Sequence, residues 1–484
     1  MNNLIQICRT FLFCVVFCWL LLCTVHVNAR DNSIQIAGLI QQNGSFLSSP
    51  YTVSDTKILL SLDDLIDIAL KNNQGIESVR QKKVQTEGQL TQAKSGYLPQ
   101  LSIEGRYYYT ERNDSAGSSL SEDPEQIPLD TDEVEAGDVI YGNANISQLI
   151  YDFGKTIDSI KIGKSNLDAA SSQLQREVQD TVFQVKKGYF NVLEKKRLID
   201  VAAEAVKSFQ QHLDRAKVYL RAGVRTRIDV INAEVELSKA NINLLRAEYG
   251  LKLAQVALIE VLGVTPNNGS YGLYDDKVNL DNILETMPPV PATLDKLLAN
   301  AIGQRMDIIQ LRHLTEAAES NYARAKGDYY PSITAEANYN DYETDLSLYK
   351  DSWEVGVACT WELFSGFHTK GAVAEAKGRL FENQAQLKKL QLAVVREVTE
   401  SYLRTDENRE SVRMALQTLE LAKENFALAE KRYESGAYDV VEFNDAQLSL
   451  TRSRNELVVI YYGYLTAFAS IEHAIGSYSR VNFR

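Results

Sequence analysis

Val178, Val185, Val192, Ile199, Val206, Leu213 and Leu220 recur every seven residues inside a proline-free run from Asp152 to about Leu220. Apolar residues at this spacing keep one seam of an α-helix turned toward a partner helix, which is the pattern of a coiled coil. At ~1.5 Å per residue such a helix reaches roughly 100 Å, far beyond the helices of globular cores. The chain therefore has to fold as something long. After Gly223 a second helix runs to about Leu262, with Val235, Ile242, Tyr249 and Val256 again seven apart.

The pattern occurs twice. Ser61-Leu62-Asp63-Asp64-Leu65 aligns with Thr293-Leu294-Asp295-Lys296-Leu297, and Ala93 to Pro99 aligns with Ala325 to Pro331, at an offset of 232. Beyond the next loop the offset is 213, placing Val185, Ile199, Val206, Leu213 and Leu220 on Val398, Val412, Leu419, Phe426 and Tyr433, and Gly223 on Gly436. A tandem duplication with one loop of unequal length explains both offsets. The expected organisation is a first repeat over 61–263, with strands at about 100–110 and 139–150 and a long helical hairpin at 152–262. A proline-containing linker, 264–292, leads to a second repeat over 293–476, with strands at about 332–341 and 352–364 and a hairpin at 367–476; a tail, 477–484, follows.

Between its helices each repeat carries segments of period two. Leu101, Ile103, Gly105, Tyr107 and Tyr109 alternate with polar residues, as do Ile140, Gly142, Ala144 and Ile146, and Ile333, Ala335, Ala337 and Tyr339. The last segment sets Trp353, Val355, Val357, Cys359, Trp361 and Leu363 against Ser352, Glu354, Gly356, Ala358, Thr360 and Glu362. One face is dry and the other wet. A sheet over a soluble core would show the same alternation. Here no other stretch offers such a core, the strands have the length of membrane-spanning β-strands, and Trp353, Trp361, Tyr107 and Tyr109 fall where interfacial aromatics sit. Lipid is the better partner for the dry face. Four strands cannot close a barrel, so an oligomer must. The acidic stretch from Glu111 to Asp138 reads as a solvated surface loop.

A net charge of -13 excludes a phosphate-binding face and with it nucleic acid as partner. Residues 1–29 read as a cleaved secretory signal, with Arg9, an apolar run from Phe11 to Cys23, and Val27-Asn28-Ala29 before the cut; a polar arm, 30–60, follows. Two competing readings stand beside it. A retained anchor would need a longer apolar run, and lipidation at Cys23 would want a small residue where Leu22 stands. Of five cysteines only Cys359 lies outside the signal, so packing or oligomerisation rather than disulfides holds the exported chain. His212, His313, His368 and His473 are scattered. We find no metal-ligand cluster, no cofactor motif and no catalytic nucleophile with its base, so the chain is not read as an enzyme.

At the tip of each hairpin a long helix ends in an apolar or aromatic residue, a glycine follows, and an acidic helix start comes next: Leu220 to Asp229 in the first, Tyr433 to Asp445 in the second. Helix termination by glycine and acids at a helix N-terminus account for much of this. A second reading comes from spacing. Glu442 and Asp445 share one helix face, and symmetry would repeat them as a carboxylate ring at a pore mouth, bridged by arginines such as Arg225 or Arg227.

The duplication, the Tyr-x-Pro junctions, the strand ends Leu149-Ile150-Tyr151-Asp152-Phe153-Gly154 and Glu362-Leu363-Phe364-Ser365-Gly366, and the Tyr-x-x-Gly turn with downstream acids resemble the TolC-like outer-membrane efflux proteins, over about 61–476. The resemblance implies a mostly α fold with membrane β: long coiled-coil hairpins forming an α-barrel tunnel, and four transmembrane strands per subunit, giving a twelve-stranded barrel in a homotrimer. It implies an outer-membrane location reaching into the periplasm of a Gram-negative bacterium. The implied partners are outer-membrane lipid, a periplasmic adaptor and an inner-membrane transporter, and the implied role is passive exit in drug efflux or type I protein secretion. Asp229, Tyr433, Glu442 and Asp445 would form the periplasmic closure; at Tyr438 the family pattern wants an arginine, for which Arg225 or Arg227 could substitute. The alternatives are a periplasmic adaptor and a coiled-coil scaffold. An adaptor needs only one hairpin, and a scaffold leaves the Trp-bounded strands unexplained.

Overall fold

A computed structural model describes residues 59–110, 137–264, 272–273, 283–289, 293–344, 350–434 and 440–477. The signal, most of the arm, the acidic loop up to residue 136, most of the linker, Tyr438 and the tail beyond Ser477 lie outside the described residues. The chain divides into two units. Met1–Ile58 with Asn268–Gly272 is one, of which Gly272 alone is described; Leu59–Asn267 with Leu273–Arg484 is the other and holds every element named below.

In chain order the second unit contains α1 (Leu62–Asn72), α2 (Gln74–Ser95), β1 (Gln100–Thr110), β2 (Gly137–Tyr151), α3 (Lys155–Arg221), α4 (Arg227–Leu262), α5 (Leu294–Gln304), α6 (Met306–Gly327), β3 (Ser332–Thr344), β4 (Lys350–Thr360), α7 (His368–Glu434) and α8 (Val440–Ala474). The fold is mostly helical with a small sheet, and α3 and α7 are both 67 residues long. No described helix is long and apolar enough to cross a membrane.

Each repeat opens on a bent helix pair. Ser61 and Asp64 start α1 with a reciprocal capping box, the Ser61 N–H donating to Asp64 Oδ2 at 2.9 Å and the Asp64 N–H to Ser61 Oγ at 3.2 Å. Asn73 makes the bend. Its Oδ1 accepts from the N–H groups of Gly75 and Ile76, starting α2, while its Nδ2 donates to the Val261 carbonyl at the end of α4 at 2.8 Å. Arg305 stands at the matching bend between α5 and α6. Its guanidinium donates to the Ala474 carbonyl at 3.0 Å and pairs with Asp307 and Glu397, each at 2.7 Å. Val261 and Ala474 are 213 residues apart, so in both copies the bend residue ties down the end of the returning helix. Gly263 and Gly476 then stop those helices in the left-handed region, at φ 69° and 73°.

The sheet is an antiparallel meander in the order β1-β2-β3-β4. Its register pairs Leu101 with Ile146, Tyr107 with Ile140, Ile146 with Ala337, Ala337 with Val355 and Tyr339 with Trp353, so the four dry sets merge into one face. That face is bare: Ile103, Trp353 and Val355 are 73%, 76% and 70% exposed. The other face carries a carboxamide ladder across the repeat boundary, with Asn143 Nδ2 donating to Asn340 Oδ1 at 2.7 Å and Asn145 to Asn338. Trp361 lies one residue past β4, its indole N–H donating to the Tyr329 carbonyl at 3.1 Å. Two consecutive left-handed residues, Phe153-Gly154 and Gly366-Phe367, turn each strand into its long helix. Phe153 is strained there and is held by stacking on Tyr330 at 5.1 Å.

The seams behave unequally. Val185, Val192 and Leu213 are buried, as are Val398, Val412, Leu419 and Tyr433. On α4 the expected seam of Val235, Ile242, Tyr249 and Val256 faces outward instead, and the buried row is Ala233, Ala240 and Ala254. Small residues let α4 approach α3 closely, which leaves its larger apolar row for another neighbour.

A Cβ on Gly263 would collide with the Asn72 carbonyl besides adopting a left-handed backbone, whereas Gly88, exposed in mid-helix, has open space around it. Gly263→Ala is expected to destabilise by at least about 1–2 kcal/mol and Gly88→Ala to be neutral or stabilising by about 0.5–1 kcal/mol. Thermal unfolding of the two variants side by side checks the difference.

Candidate functional site

The tip of the first hairpin packs against the tip of the second through an aromatic cluster. From the first come His212 and Tyr219 of α3 and Arg225 of the turn; from the second, Phe426 and Tyr433 of α7 and Val440 and Phe443 of α8. Tyr433 is the centre. Its ring lies 5.3 Å from Phe443, 5.0 Å from His212 and 6.4 Å from Tyr219, and the Arg225 guanidinium carbon sits 5.1 Å above it. At that distance a guanidinium is attracted to the negative face of the ring. Arg215 reaches across to Glu430 at 3.1 Å, but both side chains are over a third exposed, so the pair adds at most about 1 kcal/mol. Buried aromatic area dominates.

The seven gate candidates separate. Tyr433 and Arg225 meet. Asp229 is occupied locally, accepting from the Thr226 N–H at 2.8 Å and its hydroxyl at 2.9 Å, which starts α4 with a capping box. Arg227 is exposed. Glu442 and Asp445 are both exposed on one side of α8, and neither has a hydrogen bond or ion pair among the described residues. Tyr438 lies outside the described residues. His212, which sequence spacing leaves as one of several scattered histidines, is buried at 2% exposure with its ring stacked on Phe443 at 4.5 Å. Its neighbour Leu213 on the heptad seam was the available signal. Burial first, then Arg215 and Arg225, push the His212 pKa down to about 4. The aromatics expected at the membrane interface, Trp353, Trp361, Tyr107 and Tyr109, are all exposed, the first two at opposite ends of the last strand segment.

Two further surfaces stand open. Ile228, Ile231, Val235, Ile242, Leu245, Tyr249 and Val256 form an exposed heptad stripe along α4. On α7, Phe381, Leu392, Leu403 and Met414 are eleven apart and Met414, Leu421 and Leu428 seven apart, and all are exposed. Both spacings return to nearly one helix face. The duplication shows what these stripes lack. Leu245 and Tyr249 are 52% and 56% exposed, while Val458 and Tyr462, 213 residues on in α8, are buried beside α3. Conversely Leu403 and Met414 of α7 are 59% and 63% exposed, while Phe190 and Val201 of α3 are buried. The α3–α8 contact is made within the chain; its counterpart between α7 and α4 is not.

Comparison with known proteins agrees with this geometry. The profile of the family described as outer membrane efflux protein matches residues 65–264 and 297–477, both repeats. The chain belongs to that family. It is 22% identical to the outer membrane efflux protein BepC of Brucella suis over 89% of each chain, and 20% identical to the outer membrane protein TolC of Salmonella enteritidis over 80% of this chain and 76% of that one. The Campylobacter jejuni CmeC outer membrane channel has the same fold, with a TM-score of 0.73 at 18% identity over 86% of this chain and 85% of that chain. The family is one of channels rather than enzymes. The chain accordingly sits in the outer membrane of a Gram-negative envelope and extends into the periplasm.

Phe443 is 3% exposed at the heart of the tip cluster. Phe443→Ala is expected to cost about 3–5 kcal/mol of local stability, and Arg215→Ala at most about 1 kcal/mol. Limited proteolysis at the second tip checks this: the Phe443 variant is cut much faster and the Arg215 variant at nearly the wild-type rate.

Proposed function

We propose that three copies of this chain assemble into a channel-tunnel that gives substrates passive exit across the periplasm and outer membrane. The observation that carries the proposal is the unequal exposure of equivalent positions. Because α3 buries against α8 inside the chain, α7 of one copy buries against α4 of the next, and the two exposed stripes disappear together. Each added copy repeats the contact, so the ring closes without a free stripe. The sheet requires the same solution. β1 and β4 are its edges, hydrocarbon supplies no partner for their backbone groups, and three four-stranded sheets joined edge to edge make a twelve-stranded barrel with its dry face to lipid.

Substrates enter from an inner-membrane transporter, joined to the tunnel by a periplasmic adaptor. The polar sheet face and the long helices supply a conduit with no chemistry of its own. Control lies at the hairpin tips. In this reading Arg225 on Tyr433 locks the second hairpin onto the first, replacing an arginine that position 438 lacks, and Glu442 and Asp445 of the three copies form a carboxylate ring that favours cations.

Purified protein in planar bilayers tests the ring. The double variant Glu442→Gln/Asp445→Asn is expected to raise single-channel conductance or reduce cation selectivity at neutral pH. A record indistinguishable from wild type would remove these residues from the gate.

A further inference from the structure

His212 is the one described histidine with a fully buried ring and no polar partner. Among the described residues neither Nδ1 nor Nε2 has a hydrogen-bond partner, and the hydroxyl of Tyr433 beside it has none either. Three buried polar atoms left unpaired in one cluster are costly, since each forfeits its hydration. The cost falls on one contact. His212 belongs to the first hairpin, and the rings enclosing it, Tyr433 and Phe443, belong to the second. Separating the hairpins would return all three atoms to water.

The charges around the ring oppose a proton. From its own helix His212 faces Arg215, from the turn Arg225, from α4 Asp229, and from α7 Tyr433, on whose ring Tyr219 packs in turn, with Glu430 engaged by Arg215. The α8 residue in contact is the uncharged Phe443; Glu442 and Asp445 lie on that helix's exposed side. Loss of water around the ring opposes a proton most, Arg215 and Arg225 add to it, and Asp229 offsets it only in part. The duplication sharpens the point, because the position equivalent to His212 in α7 is Asn425, whose carboxamide takes no proton in this pH range. The titratable ring therefore occupies the contact inside each chain and is absent from the equivalent contact between chains.

We propose that His212 is a proton-operated latch of the periplasmic end: neutral, it is clamped between the hairpins and the end stays shut; protonated, it forces the second hairpin off the first and the end opens. This rests on the reading of the tips as the gate.

The direction follows from linkage. Burial and the two arginines hold the ring's pKa down to about 4 in the closed form, and exposure on opening restores it to about 6.5. The closed form is then fully favoured above about pH 6.5 and loses its advantage as pH falls toward 4. At pH 5.5 the open-to-closed ratio should rise about tenfold per latch over its value at neutral pH.

Full-length protein reconstituted in planar bilayers, recorded from pH 7.5 to 4.5 on the side of the helical end, provides the test. The wild type is expected to open as pH falls through 6. His212→Phe keeps the stacking ring but takes no proton, and its open fraction at pH 5.5 should stay within about twofold of its own value at pH 7.5. Acid opening of His212→Phe with the wild-type midpoint would overturn the latch. If that variant does not assemble, C2 hydrogen–deuterium exchange of the histidines in the wild type, read by mass spectrometry, decides: a His212 midpoint between about 4 and 6 that tracks the opening supports the latch, and a midpoint at about 6.5 overturns it. The gate reading is scored separately, by Glu442→Gln/Asp445→Asn at pH 7.5. A conductance change there, with undiminished acid opening in His212→Phe, removes the latch and leaves the gate.

Discussion

A backbone N–H or C=O in hydrocarbon has no water to turn to, and a four-stranded sheet has two edges of such groups. The apolar face assembled by the register of β1 to β4 commits the sheet to lipid, while β1 and β4 forbid it to stay there alone. Everything else in the chain is compatible with this constraint. The helix that leaves the sheet at Phe367, α7, carries an unpartnered apolar stripe, and so does α4, the hairpin partner of the helix that leaves at Gly154. One unmet requirement at the membrane and another along the tunnel have the same remedy.

The duplication explains why the remedy takes this form. Two copies of one hairpin plan, joined in one chain, make one inter-hairpin contact internally and leave a second of the same kind unmade. Inside the chain that contact follows α3 from Gln179 to the tip. Gln179 Nε2 donates to the Gly476 carbonyl at 2.7 Å, Lys186 pairs with Glu472 at 2.6 Å in a buried setting, Ser208 donates to Gln447 at 2.8 Å, and the tip cluster closes the far end. On α7 the positions equivalent to Gln179, Ser208 and Arg215 carry Leu392, Leu421 and Leu428. The internal contact therefore combines polar pairs along the helix with an aromatic tip, whereas the equivalent row on α7 is oily and repetitive.

Much of this was legible in the residues. Period-two alternation and period-seven recurrence are direct projections of strand and helix geometry, so the four dry strand faces and the α3 and α7 seams could be read without coordinates. The shared start of α1 and α5 was visible as the alignment of Ser61 to Leu65 with Thr293 to Leu297. The outward rotation of the α4 seam was not legible. A helix with two apolar rows, one of alanines and one of larger residues, does not say which row its nearest neighbour takes; close approach to α3 selected the alanines. The tip was half legible. Spacing singles out Tyr433, Glu442 and Asp445, but capping by Thr226 absorbs Asp229, and the burial of His212 depends on a contact between residues over 200 positions apart. Pairings of that range leave no local trace.

The central claim is that one chain is an incomplete object finished by two more of itself. Native mass spectrometry of the full-length protein, extracted in detergent and released from its micelle in the gas phase, measures this directly. A single dominant species with three times the mass of the processed chain is the predicted result. A stable monomer, or a series of oligomers with no preference for three, would contradict it.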